Sequence, residues 1–183
     1  MIIVEDKAQK EGKHKAKNDY WRKSGIEVIR QPLPVGDYIL GNEKVMDVIS
    51  RKENRNMAVK KMDFLGSYDI AIDSKFSIQE LVSDICGKQH DRFRDEAILA
   101  QNNNIRLIVL VENEDGITQL SELHKWVNPR LWIRRGGKQA YPNATRGVTL
   151  MKAAHTMQKK YGTEFLFCKP HESGRIIEQL LGG

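Results

Sequence analysis

Asp73 and Lys75 stand one residue apart at the end of a short apolar run, Ile70-Ala71-Ile72. Side chains alternate between the two faces of a strand, so these two point the same way and Ser74 turns to the other face. A carboxylate beside an ammonium suits metal-assisted phosphodiester hydrolysis. The carboxylate holds a divalent cation, and the lysine orients the attacking water and offsets charge on the phosphate. Asp-x-Lys alone is a weak signal. Its weight comes from the upstream phrase Leu33-Pro34-Val35-Gly36-Asp37-Tyr38-Ile39-Leu40, which reads as turn, glycine, acid and strand. Asp37 on a neighbouring strand would complete a two-acid site for Mg²⁺ or Mn²⁺, hard cations that take carboxylate and water oxygens.

Several elements must position these groups. Ser77 and Glu80 form an S-x-x-E capping box that starts a helix directly after the Asp73–Lys75 strand end. Ile78, Leu81, Val82 and Ile85 give that helix one apolar face. Gly87 ends it, and a second helical piece carries Arg92, Phe93, Arg94, Glu96 and Ala97. Upstream, residues 1–4 read as a buried strand ending in Glu5-Asp6-Lys7, 18–24 as a helix with Tyr20 and Trp21 inward, and 26–29 as a second strand. Between Asp37 and Asp73 the spacing predicts an insert at about 41–68, with a strand over 44–50 and a polar, basic loop over 51–61. Downstream, 105–111 is a nearly all-apolar strand of the kind found inside an α/β sheet, with Glu112 as a strand-end acid. A short helix over 117–127, a helix over 145–161, a strand over 164–168 and a closing helix over 173–181 complete an α/β chain. No repeat or linker splits it, so residues 1–183 read as a single domain with an accessory C-terminal region at about 113–183.

The 183 residues carry a formal net charge of +6, which favours an acidic partner such as nucleic acid. Lys10 to Lys17 is a charge run whose default is a solvated loop. Arg130 to Tyr141 interleaves Arg130, Arg134, Arg135 and Lys138 with Trp132 and Tyr141 around a Gly136-Gly137 flex point, so it can either meet phosphates and stack a base or form a basic surface loop. His90, beside Asp91 and Arg92, is a candidate phosphate contact. The two cysteines, Cys86 and Cys168, make no CxxC pair, and the five histidines are scattered, which leaves zinc and a disulfide framework unsupported. No basic-then-apolar leader and no apolar run of spanning length is present, so no membrane role is expected and the predicted location is cytoplasmic, or inside a host cell.

LPVGDYIL, an acid-x-Lys strand end and a helix carrying Asp91-Arg92-Phe93-Arg94-Asp95-Glu96 together resemble the nuclease domain of the XPF family, in the PD-(D/E)xK superfamily. The wording is similar to compact members found in phages and prophages. The likeness covers residues 1–112 well and the C-terminal third poorly. It implies a restriction-endonuclease-like fold, a mixed central sheet flanked by helices, and metal-dependent DNA cleavage in repair, recombination or phage DNA processing. Family members read Gly-Asp, then Glu-Arg-Lys, then an acid on the next helix. Gly36-Asp37 matches the first, and Asp73-Ser74-Lys75 matches the second with Asp for Glu and Ser for Arg. Glu80 falls one residue past the last acid, and Arg92 matches an arginine of the later helix. The resemblance implies metal ligation by Asp37, Asp73 and the Ser74 carbonyl, with catalysis by Lys75 and Glu80, although capping alone explains Glu80. Glu5 is implied as an additional or outer ligand, with a solvated strand end as the alternative. Arg92, Arg94 and His90 would contact DNA, and a homodimer would fit the family. Ser50-Arg51-Lys52 is a rival to the Asp73 register; Ser50 is a poor metal ligand, and no amphipathic helix follows Lys52. A partner subunit that keeps the fold without cleaving is the alternative function.

Overall fold

Apolar residues at alternate positions drive the central sheet, and the structure, a computed structural model, describes residues 1–10 and 15–183. In chain order the elements are β1 (Ile2–Asp6), α1 (Lys15–Lys23), β2 (Glu27–Gln31), β3 (Tyr38–Leu40), α2 (Glu43–Glu53), β4 (Ile70–Lys75), α3 (Ile78–Cys86), α4 (His90–Asn102), β5 (Arg106–Glu112), β6 (Arg134–Arg135), β7 (Lys138–Gln139), α5 (Gly147–Tyr161), β8 (Glu164–Cys168) and α6 (Ser173–Gly182). Six strands pair in the order β2-β1-β3-β4-β5-β8. β3 runs antiparallel to both β1 and β4, and the other pairs are parallel, which makes the sheet mixed.

Side chains on one face of the sheet (Val4, Ile39, Ala71, Val109, Val111) pack under α2, α3, α4 and α5. Those on the other (Ile3, Tyr38, Ile72, Ile108, Leu110) pack under α1 and α6. Trp21 is fully buried there, and its Nε1 donates to the Gly174 carbonyl at 2.9 Å.

Besides the helix expected over 117–127, of which only a 3-10 turn at Leu120–Lys125 forms, three expectations change. The segment 44–50 is not a strand but the body of α2. Asn42 caps it, its Oδ1 accepting from the Val45 amide at 2.9 Å, and Val45 and Ile49 sit one helical turn apart in the core. The supposed loop over 51–61 begins as the last turn of this helix. The Ser50-Arg51-Lys52 register therefore lies on a helix, where Lys52 pairs with Asp63 at 2.8 Å.

The second change concerns the Lys10–Lys17 run, of which residues 11–14 lie outside the described part. Lys15 to Lys17 open α1, and Lys17 is buried, not solvated. Its Nζ lies 2.5 Å from Glu112 Oε1 and donates to Ser74 Oγ at 2.8 Å. The third is the Gly136-Gly137 pair. With φ of +56° and +77° it forms the two-residue turn of the β6–β7 hairpin, a defined turn of the kind only glycine-like residues adopt readily.

Candidate active site

Gly36 decides where the first carboxylate goes. Its φ is +74°, and a side-chain carbon there would stand 2.9 Å from Ala71 Cβ and 3.1 Å from the Ile72 carbonyl oxygen. Only glycine lets the chain pass this close to β4. The Asp37 amide then donates to the Ile72 carbonyl at 2.7 Å, and Asp37 enters on the face that Asp73 and Lys75 share. Its Oδ2 accepts from the Ser74 amide at 2.9 Å, and its Oδ1 accepts from the Gln9 side chain.

Lys75 is 5% exposed and lies between two carboxylates: Asp73 at 2.7 Å and Asp84 at 2.6 Å. Burial works against its charge, but Asp73, Asp84 and Asp37 outweigh it and raise its pKa. The lysine is thus held as an ammonium. Burial, and then the charge of Asp73, push the Asp37 carboxyl well above the usual carboxylate range. The same two causes raise Glu96, whose Oε1 accepts from the Gly36 amide at 2.7 Å.

These groups line a cleft of about 350 Å³. Of the residues singled out in the sequence, it brings together Asp37, Asp73, Ser74, Lys75, Glu80 and Arg92. Glu80 does cap α3: its amide donates to Ser77 Oγ at 3.2 Å, and its carboxylate accepts from the Phe76 amide at 2.7 Å.

Other candidates lie elsewhere. Glu5 projects from the opposite face of the sheet, as period-two alternation along β1 requires once Asp6 faces the cleft. There Arg30 lies 3.2 Å away and the Tyr38 hydroxyl donates at 3.5 Å, so Glu5 is not beside the Asp37–Asp73 pair. Ser74 also sends its hydroxyl to that far side, and only its backbone borders the cleft. His90 Nδ1 donates to the Ile85 carbonyl at 2.7 Å and so ties the end of α3 to the start of α4. Arg94 is held by Asp91 at 2.9 Å and Asp95 at 3.0 Å. Arg130, Arg134, Arg135 and Lys138 are exposed in and beside the β6–β7 hairpin.

Sequence reasoning missed Gln9, Asp84 and Glu96. Asp84 is four residues after Glu80 on α3, and Glu96 four after Arg92 on α4, so each shares a helix face with a residue already singled out. Those spacings were the available signal.

Among the described residues, no three His, Cys, Asp or Glu side chains form a ready-made metal cage. The residues present nevertheless fit a hard divalent cation. Two carboxylates that repel each other, Asp37 and Asp73, line one cleft, and the charge of Asp73 is a cause of the raised pKa of Asp37, a repulsion that a bound cation would relieve. Mg²⁺ is commonly bound through one or two carboxylates while keeping several waters.

A mixed six-stranded sheet with helices on both faces is the fold of an XPF-type nuclease. Two solved structures carry it: XPF from Aeropyrum pernix (TM-score 0.57, 15% identity) and the same protein in complex with DNA (TM-score 0.58, 16% identity). Each match covers 99% of this chain and 63% of the other, so this chain spans under two thirds of those proteins. The chain belongs to the ERCC4 family: the ERCC4 domain matches residues 6–180. Membership thus extends through the C-terminal third, where the sequence likeness looked poor. No curated protein matches closely enough to count as a relative. Among the described residues no helix is long and apolar enough to cross a membrane.

Proposed function

We propose that this protein is a divalent-metal-dependent DNA endonuclease. The observation that carries the reading is the meeting of Asp37, Asp73 and Lys75 in one buried cleft, with the Ser74 amide holding Asp37. Asp37 and Asp73, with the Ser74 carbonyl, would hold Mg²⁺ or Mn²⁺; when bound, the cation supplies Lewis-acid activation of water and neutralises charge on the phosphate. Lys75, kept charged by Asp73 and Asp84, stabilises negative charge that builds on the phosphate oxygens. Arg92 is exposed where it lines the cleft and positions an incoming phosphate. Glu96 ties α4 to the Gly36 turn and so fixes the entry of Asp37. The A. pernix protein has been captured with DNA, and the basic surface here suits the same class of ligand.

The direct test is a panel of labelled linear and branched DNAs incubated with purified protein and Mg²⁺ or Mn²⁺. Metal-dependent products that EDTA abolishes are expected. Binding without any cleavage would support a non-cleaving partner subunit instead.

Two further outcomes bear on the assignment. Lys75→Ala is expected to abolish cleavage, whereas Lys52→Ala, which removes only the partly exposed pair with Asp63, should leave turnover within about threefold, since partly exposed ion pairs are worth little. A dead Lys52 variant with an active Lys75 variant would move the chemistry to α2. Separately, Arg134→Ala/Arg135→Ala should flatten the plot of log affinity against log salt. Each phosphate contact contributes about −0.9 to that slope, so a loss of roughly one to two units is expected if both arginines meet phosphates. An unchanged slope would turn the hairpin away from DNA.

A further inference from the structure

A second cleft, of about 660 Å³, opens beside the first. Ser83 of α3 lines both, so the two clefts meet at that residue's position on the helix. One wall of the second cleft is the C-terminal half of α3 with Gln79 and Lys88; the other is the irregular segment 128–145 that carries the hairpin. That second wall is firmly built. Asn128 is 1% exposed; its side-chain amide donates to the Thr145 carbonyl at 2.9 Å, and its Oδ1 accepts from the Arg130 amide at 3.0 Å. The Arg130 guanidinium stands 5.8 Å from the centre of the Tyr141 ring, and Tyr141 is 38% exposed. Across the cleft, the Gln79 Oε1 is buried and accepts no hydrogen bond.

We infer that this cleft takes an unpaired stretch of the DNA strand that runs on from the active cleft. The inference rests on the nucleic-acid-cleaving reading above and adds a binding site to it. Arg130 and Lys88 supply cations for phosphates, Tyr141 supplies a ring face for a base, and Gln79 Oε1 supplies an acceptor for a base N–H. A positive groove with an aromatic platform is the arrangement that holds single strands without strict sequence preference. A paired, stacked duplex keeps its base faces covered, so it cannot use the Tyr141 ring. With Ser83 bordering both clefts, one strand can reach from this site to the cleaved phosphate.

The test uses the full chain with EDTA present, so that nothing is cut. Fluorescence anisotropy is read with a labelled mixed-sequence single-stranded DNA and with a closed-end duplex of equal phosphate number. Tyr141→Ala is expected to weaken single-strand binding about tenfold or more, the range for loss of one stacked base. Tyr141→Phe, which keeps the ring, should retain it, and duplex affinity should stay within about twofold for both variants. Unchanged single-strand affinity in Tyr141→Ala overturns the inference, as does an equal loss on both DNAs. A parallel cleavage assay with Mn²⁺ separates the two levels. If the wild type cleaves while Tyr141→Ala binds single strands normally, only the second cleft is wrongly assigned. A wild type that neither binds nor cleaves DNA removes the nuclease reading and this inference together.

Discussion

Asp73→Asn and Asp37→Asn should each lower cleavage by at least about a hundred- to a thousandfold, the cost of removing one preorganised electrostatic group from such a site. The fold should survive. Burial and the Asp73 charge raise the Asp37 pKa in the folded state. The folded protein therefore binds a proton at Asp37 more readily than the unfolded chain does. Stability from this group falls as pH rises from the ordinary carboxylate range through the raised value. Near neutral pH without metal, folding must either protonate Asp37 or bury its charge, a cost that a neutral amide lacks. Asp37→Asn should thus melt at the wild-type temperature or above it in EDTA, with its oxygen still accepting from the Ser74 amide. Added Mg²⁺ should raise the melting temperature of the wild type and not of either variant, because a ligand stabilises only the state that binds it. Near-wild-type turnover in either variant at saturating Mg²⁺ would disprove the assignment.

The geometry of the candidate site was legible in the sequence where one strand carried it. Asp73 and Lys75 read correctly as one face because period two is a local property, and Gly36-Asp37 read correctly because a glycine before an acid marks a turn. Asp84 and Glu96 were not legible as site members. Each sits on a helix whose distance from β4 is set by core packing through Ile85, Phe93 and Ala97, which no local pattern specifies. Glu5 shows the opposite failure. Its place at a strand end was right, but which face it takes depends on register, and pairing of Glu5 with Tyr38 puts it under α1. The segment 44–50, expected as a strand, is a helix because Val45, Val48 and Ile49 stand at offsets of three and four and Asn42 supplies the cap.

Lys17→Met should be the most destabilising single change outside the hydrophobic core. Lys17 and Glu112 side chains are 3% and 5% exposed, and their contact of 2.5 Å lies directly behind β4. Removing the cation leaves a carboxylate buried without its partner, an effect of about 3–5 kcal/mol where such pairs have been broken. For a chain of this length that corresponds to a drop of roughly 10 °C in melting temperature. The second variant makes the cause visible. Lys17→Met/Glu112→Met replaces both charges with apolar side chains of similar length, and such replacements are often neutral or stabilising, so most of the lost stability should return. The two outcomes together would show that the orphaned charge, and not lost packing of the lysine stem, carries the effect. The active site should feel the same change through Ser74, which accepts from Lys17 on the far face while its amide holds Asp37 on the near one. The rescued double variant should therefore fold well yet need more Mg²⁺ for half-maximal cleavage, since Ser74 has lost its rear anchor. A Lys17→Met protein as stable as the wild type would mean that the ion pair is solvated in the folded state. A double variant with unaltered Mg²⁺ demand would mean that Ser74 holds Asp37 without help from α1.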